Sequence, residues 1–306
     1  MKSFDALRDA LANHASLSLI GLCKNAGKTT VLNRLLALPE CEARLPALTS
    51  IGRDGERVDV ATGTDKPGVW VRAGMLVATA AGLLRHCDVT REILATTGMG
   101  TPLGEVVIFR ALSAGQVQIA GPSMTAQLRT LTAMLREAGA GLVLIDGAAG
   151  RNTLGAPTVA EAAILCAGAS CHPDMETVVT EAAHVCRLWA LPVAVGERPG
   201  RQRIAGAVTQ ATLEALSLQK GDEIICPDAS HILLTPAQYD RWLARGVGFA
   251  VEQPGKICCV CVNPFSAYGA GFEAGAFRQR MSEAVGVPVV DVGAGDRNGA
   301  GAGGVF

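Results

Sequence analysis

Apolar and polar positions along this chain fall in short blocks whose period switches between that of a strand and that of a helix. Phe4, Leu7 and Leu11 share one face of a short amphipathic helix over residues 1–15. Leu17 to Ile20 is a compact apolar run, and Val31, Leu32, Leu35 and Leu36 follow it at helical spacing. The pattern predicts a strand, a turn and a helix reaching about Leu38, which Pro39 ends. Ala47 to Ile51 reads as a second strand and Val69 to Val71 as another. Met75 to His86, rich in alanine and leucine, reads as a helix. Val106 to Ala111 and Val117 to Ala120 read as a β pair separated by Ser113-Ala114-Gly115. Met124 to Glu137 is a strongly amphipathic helix, and Leu142 to Ile145 is a wholly apolar strand ending in Asp146. Further apolar strand segments stand at 164–166, 193–195, 223–226, 256–262 and 288–290, with helices between them and no internal repeat of fixed period.

Strands that alternate with helices in this way predict an α/β fold with a mainly parallel sheet flanked by helices. The Gly-Glu-Arg-Pro-Gly-Arg stretch at 196–201 reads as a seam between a first domain, 1–196, and a smaller α/β C-terminal lobe, 197–292. The glycine-rich residues 293–306 read as a disordered tail. With 49% apolar residues in 306, the chain can bury a sizeable core. A net charge of −1 gives no electrostatic reason to expect nucleic acid or an anionic membrane as partner. No apolar run approaches the ~20 residues of a membrane span. Met1 to Ala15 is charged and amphipathic rather than a signal peptide, so the ten cysteines are expected to be reduced thiols in the cytoplasm.

The chemistry concentrates at Gly21-Leu22-Cys23-Lys24-Asn25-Ala26-Gly27-Lys28-Thr29-Thr30, between the first strand and its helix. A turn of this kind opening on Gly-Lys-Thr-Thr is how a P-loop holds nucleotide phosphates. Backbone N–H groups line the turn, the helix N-terminus adds its positive dipole end, and the lysine reaches the β/γ-phosphates. Lys28 is the first catalytic candidate, and the hydroxyl of Thr29 suits Mg²⁺. Leu22 stands where the first glycine of the common motif belongs, with Gly21 one residue early. Lys24 is a loop residue placed near the phosphates; it stands four residues before Lys28, where the second lysine of ParA/MinD-type loops stands five before.

Asp146, at the end of its apolar strand, reads as a Walker-B-like aspartate that holds Mg²⁺ through water, with Gly147 and Gly150 letting backbone approach the γ-phosphate. A helix cap is the plain alternative. Asp54, in Ile51-Gly52-Arg53-Asp54-Gly55-Glu56, is either a second metal contact that orients the attacking water or turn chemistry. Asp65, Lys66 and Glu105 are weaker candidates. Asn263, after a late apolar strand, either reads a nucleobase edge or, more simply, makes a turn. No Asn-Lys-x-Asp stands in the chain, so ATP rather than GTP is the expected nucleotide. Cys258, Cys259 and Cys261 read as small buried hydrophobes, with Cys259 and Cys261 on one face of a strand and Cys258 on the other; Cys166 and Cys171 read likewise.

Gly21, seven residues before Lys28, resembles the displaced glycine of the dethiobiotin synthetase P-loop. Asp146-Gly147-Ala148-Ala149-Gly150 resembles that family's Glu-Gly-Ala-Gly-Gly. Both place the first half among SIMIBI-class P-loop NTPases. A longer resemblance, to the reactivase subunit of lysine 5,6-aminomutase, runs through the 21–30 turn, Leu48 to Glu56, Thr101 to Ile108, Ala120-Gly121-Pro122-Ser123, Ile145 to Ala148 and Val262-Asn263-Pro264. That resemblance implies an ATP-dependent protein that helps expel damaged cofactor from an adenosylcobalamin-dependent aminomutase, acting with a MutS-related ATPase subunit. A homodimer stays open. The alternatives are a dethiobiotin-synthetase-like ligase or kinase acting on a small molecule, and a module that binds nucleotide without turnover.

Overall fold

The structure, a computed structural model, describes residues 4–52, 68–149 and 159–293. Its first part runs through helix α1 (Asp5–Asn13), strand β1 (Ser16–Gly21), helix α2 (Lys28–Leu36), the single turn α3 (Pro39–Glu42), β2 (Pro46–Ser50), β3 (Val69–Val71) and β4 (Leu76–Ala80). Next come β5 (Arg91–Thr101), β6 (Gly104–Ala111), β7 (Gly115–Val117), α4 (Thr125–Glu137), β8 (Leu142–Ala149), β9 (Ala162–Gly168) and α5 (Met175–Trp189). The last part holds β10 (Arg201–Arg203), α6 (Gln210–Glu214), β11 (Glu223–Cys226), α7 (Pro236–Ala244), β12 (Gly248–Val251), β13 (Ile257–Asn263), α8 (Ala274–Ala284) and β14 (Val289–Asp291).

Nine strands form one sheet in the order β14-β13-β9-β1-β8-β2-β4-β6-β5. The pairs from β14 to β4 are parallel, and β6 alone runs against them, antiparallel to both β4 and β5, so the expected mainly parallel α/β sheet is present. Alternation along β1 sends Leu17 and Leu19 to one core, with Leu7, Leu11, Val31, Leu32 and Leu35 of α1 and α2, and Ile20 to the opposite one, beside α5. On that second face α4 covers β2, β4, β6 and β8 through Leu128, Leu131 and Leu135. Helices therefore lie on both faces, which is why the central strands are continuously apolar. Among the described residues no helix is long and apolar enough to cross a membrane.

Several expectations are corrected. Residues 75–86 form β4 and then a 3-10 helix over Ala81–His86, not one helix. All five residues of β4 are buried, and a strand buried on both faces lacks the alternation that separates it from a helix. The segments at 106 and 117 do not pair with each other. β6 is occupied on both edges by β4 and β5, and β7 pairs antiparallel with β3. Pro39 opens α3 at its first position rather than simply ending α2, which stops at Leu36. Val193 makes only a single bridge to Val251. The smaller sheet, β10-β11-β12, covers 201–251, while β13 and β14 return to the large sheet, so the expected 197–292 lobe does not keep its strands to itself. The tail expected over 293–306 lies, Gly293 apart, outside the described residues.

The smaller sheet packs against α5 through one core that includes Leu188, Trp189, Ile224, Tyr239 and Phe249. His184 of α5 sits inside it, 5% exposed, with Nε2 2.9 Å from the Leu234 carbonyl oxygen and its ring edge-on to Tyr239. Burial depresses its pKa below the usual 6.5, against a smaller opposing effect from the Leu234 bond. Below pH 6.5 the unfolded chain binds a proton at this histidine more readily than the folded one. Its contribution is therefore complete above that pH and is lost as pH falls through the lower folded value. Urea unfolding followed from about pH 7.5 to about pH 5 should show stability declining toward acid, and His184→Phe should make the decline shallower. An equal slope in both proteins would contradict this assignment.

Candidate functional site

The carboxyl edge of the large sheet, where β1 lies between β8 and β9, brings most of the described candidate residues together. Every residue of β1 is buried, and at Gly21 the chain leaves the sheet. Asn25 (φ 62°) and Gly27 (φ 99°) both take left-handed backbone and turn the chain into α2, whose first helical bond runs from Val31 N–H to Gly27 O at 3.0 Å. A glycine meets the conformation at 27 without strain, and asparagine tolerates it at 25. No side chain caps α2. The backbone N–H groups of Gly27, Lys28, Thr29 and Thr30 donate to no acceptor among the described residues. Four successive free donors at the positive end of a nine-residue helix attract anions.

Lys28 completes that electropositive turn. Its residue is 9% exposed, it has no ion-pair partner among the described residues, and its side chain folds back over β1. A Cβ added to Gly21 would stand 3.1 Å from Lys28 Nζ and 3.3 Å from Cδ. The early glycine therefore has a physical reason: it leaves the space the lysine stem occupies. Thr29 and Thr30 are half-buried in the first turn, and Lys24 is exposed. Asn25 Nδ2 donates to the Tyr268 hydroxyl at 3.1 Å.

Asp146 lies beside this turn because β8 is the parallel neighbour of β1. Leu19 pairs with Asp146 and Gly21 with Ala149, so β8 carries an extra residue just past the aspartate. Such a bulge re-aims side chains at a strand end. Asp146 is 7% exposed, and its carbonyl accepts from Ile51 N–H at 2.8 Å. Both charged groups act on Cys166 of β9: burial pushes its thiol far up, Lys28 pulls it down and Asp146 pushes it up. Gly147 also has a packing role. A Cβ there would run into the Leu19 carbonyl oxygen, so glycine is required for contact between β8 and β1.

The segments 50–52 and 121–122 meet at the same edge. Gly121 N–H donates to Ser50 Oγ at 3.2 Å and Gly52 N–H to the Pro122 carbonyl at 3.1 Å. Asn263 closes the other side: a Cβ on Gly27 would touch its Cβ at 3.1 Å, while its Oδ1 accepts from Phe265 N–H at 3.2 Å. The turn reading of Asn263 thus describes its bonding, and its side chain also packs on the α2 entry. Asp54, Asp65, Lys66 and Gly150 lie outside the described residues. Glu105 belongs elsewhere, with Oε1 accepting from Gly98 N–H at 2.6 Å inside the β5–β6 hairpin. Among the described residues no group of three His, Cys, Asp or Glu is arranged to hold a metal. Thr29 and Asp146 do fit the sparse protein contribution that Mg²⁺ takes when phosphate oxygens and waters complete its shell.

Two cysteine expectations are corrected. Cys23, in the turn, and Cys171, after β9, form a disulfide with Cα atoms 5.3 Å apart, so not every thiol is free. The parallel pairing of β1 with β9 delivers both loops to the same place, and Leu22 N–H donates to the Cys166 carbonyl at 3.0 Å. Cys258 packs against the same core as Cys259 and Cys261, because a register irregularity between Ile257 and Cys259 breaks the alternation. The remaining eight cysteines are free.

Denatured without reductant, the protein should offer eight thiols to a thiol reagent, and ten after reduction. Ten in both conditions would contradict the bridge. The chain matches no protein-family model, no curated protein and no solved structure.

Proposed function

We propose that the chain binds Mg-ATP at the turn between β1 and α2 and uses it to act on a partner protein. One observation carries this reading: four unclaimed N–H donors from Gly27 to Thr30 and the enclosed Lys28 ammonium share one helix entry, beside Asp146. The N–H groups and Lys28 would hold phosphate oxygens, and Thr29 with Asp146 would hold Mg²⁺. Asp54 would be a further metal contact. Bound Mg²⁺ neutralises charge on the β- and γ-phosphate oxygens.

The partner class comes from the resemblance to the aminomutase reactivase subunit: an adenosylcobalamin-dependent aminomutase, with a MutS-related ATPase subunit alongside. Of the segments that carry that resemblance, 50–52, 121–122 and Asn263 adjoin the β1 and β8 strand ends and support one switchable surface, while Thr101–Ile108 lies in the β5–β6 hairpin. A nucleotide that contacts these loops can alter their affinity for a second protein. ATP is preferred to GTP because no guanine-reading Asn-Lys-x-Asp is available.

Calorimetric titration with Mg-ATP tests the site. Lys28→Ala should weaken binding about 10- to 100-fold, the worth of a charge-assisted hydrogen bond. Turnover of ATP by the parent protein should rise when a purified adenosylcobalamin-dependent aminomutase is added. Equal binding by the variant would overturn the site. Stimulation by small amines or acids, and none by a mutase, would overturn the partner.

A further inference from the structure

The Cys23–Cys171 bridge ties the turn between β1 and α2 to a firmly held loop. On the Cys171 side, its own N–H donates to the Gly168 carbonyl at 2.9 Å and Ala169 N–H to the Asn263 carbonyl at 3.0 Å. Ser170 Oγ accepts from Ala267 N–H at 2.9 Å. On the Cys23 side, β1 is already in register with β9 from Leu17 to Gly21, and Leu22 N–H reaches the Cys166 carbonyl. In the folded protein the bridge therefore adds little to that pairing. What it fixes is the next stretch, 23–26, which passes through left-handed Asn25 to the entry of α2. The Asn25–Tyr268 hydrogen bond helps to hold the same stretch, but it is exposed, and water competes for both partners.

Both sulfurs are within reach of a small reagent. Cys23 and Cys171 are half-buried, and both line a cavity of about 330 Å³ between the turn, α5 and residues 232–235. The other cysteines do not compete for the bridge. Cys41, Cys87, Cys166, Cys226, Cys259 and Cys261 are buried. Burial pushes the thiols of Cys41, Cys186 and Cys226 up to about 12 and that of Cys258 up to about 11, which leaves little thiolate near neutral pH. Exchange at the bridge therefore needs a thiol from outside.

We infer that the Cys23–Cys171 bridge is a redox switch on this turn. Oxidised, it holds 23–26 in the shape that presents the Gly27 to Thr30 N–H groups and Lys28; reduced, it releases that stretch and weakens phosphate binding. The inference rests on the nucleotide reading of the turn. The step is a two-electron exchange with a small dithiol. One thiolate attacks a sulfur of the bridge, the S–S bond breaks and a mixed disulfide forms. The second thiol of the reagent then displaces the cysteine, the reagent leaves as a cyclic disulfide, and its two protons finish on Cys23 and Cys171. A released turn must be ordered again each time phosphate binds, and that ordering lowers the affinity.

The test compares the full protein oxidised, reduced with dithiothreitol, and as Cys171→Ser, which removes the bridge without altering the turn. Backbone order at 23–27 is read by ¹⁵N relaxation without nucleotide, and Mg-ATP affinity by calorimetry. Dithiothreitol should open the bridge in the folded protein, order parameters at 23–27 should fall from about 0.85 toward about 0.6, and Mg-ATP should bind about tenfold more weakly. Reoxidation should restore both. Cys171→Ser should match the reduced protein in both readouts and should not respond to dithiothreitol. Thermal melting of each form establishes that it is folded at the temperature used. A bridge that resists dithiothreitol until the protein unfolds overturns the inference, as does unchanged order at 23–27. So does equal Mg-ATP affinity in the oxidised and reduced forms, or an affinity that still responds to dithiothreitol in Cys171→Ser. Mg-ATP binding by none of the forms would overturn the nucleotide reading instead, and the relaxation measurement would then decide by itself whether the bridge governs the turn.

Discussion

The site depends on one constraint: β1 must be buried on both faces and hydrogen-bonded on both edges. Such a strand has no polar outlet except at its ends. Its carboxyl end is therefore where the backbone escapes the sheet, turns through left-handed Asn25 and Gly27, and starts a helix whose first N–H groups have no acceptor. The same burial fixes what stands alongside. β8 brings Asp146 to one flank, and β9 brings Cys166 and then Cys171 to the other. Open parallel sheets place ligands at this kind of edge because neighbouring crossovers diverge there. The chemistry at 21–30 is thus a consequence of the strand order as much as of the residues in the turn.

Electrostatics then decides what the edge attracts. Four N–H groups and the enclosed Lys28 make the turn positive, while Asp146 sits one strand away as a carboxylate that can share a metal. The small space above Gly21 holds the lysine close to the strand instead of letting it extend into water. Leu22 and Cys23 also line a partly apolar cavity against α5, with no Lys or Arg among the described residues around it. The disulfide to Cys171 anchors Cys23 to the loop after β9.

Much of this was readable from residue order, and the failures have specific causes. β1, α2, β2, α4, β8 and β9 announce themselves through apolar runs and helical spacing, and so does the placement of Lys28 and Asp146 at element ends. β4 reads as helix in the sequence because all its residues are buried and no alternation marks it. β5 escaped notice because it is a largely exposed edge strand with two register irregularities and so no regular alternation. Cys23 and Cys171 are 148 positions apart, and only the adjacency of β1 and β9 joins them. His184 gave no signal either. In sequence it is one polar residue in an amphipathic helix, and its significance comes from the Leu234 carbonyl 50 residues away.

The central claim is that the free N–H groups at the start of α2 are there to hold phosphate. Amide hydrogen exchange resolved to residues 26–30, with and without saturating Mg-ATP, tests it most directly. The account predicts that exchange across this segment slows markedly when nucleotide is bound, as the free donors acquire acceptors. Mg-ATP that binds yet leaves exchange at 26–30 unchanged, with protection appearing elsewhere, would contradict it.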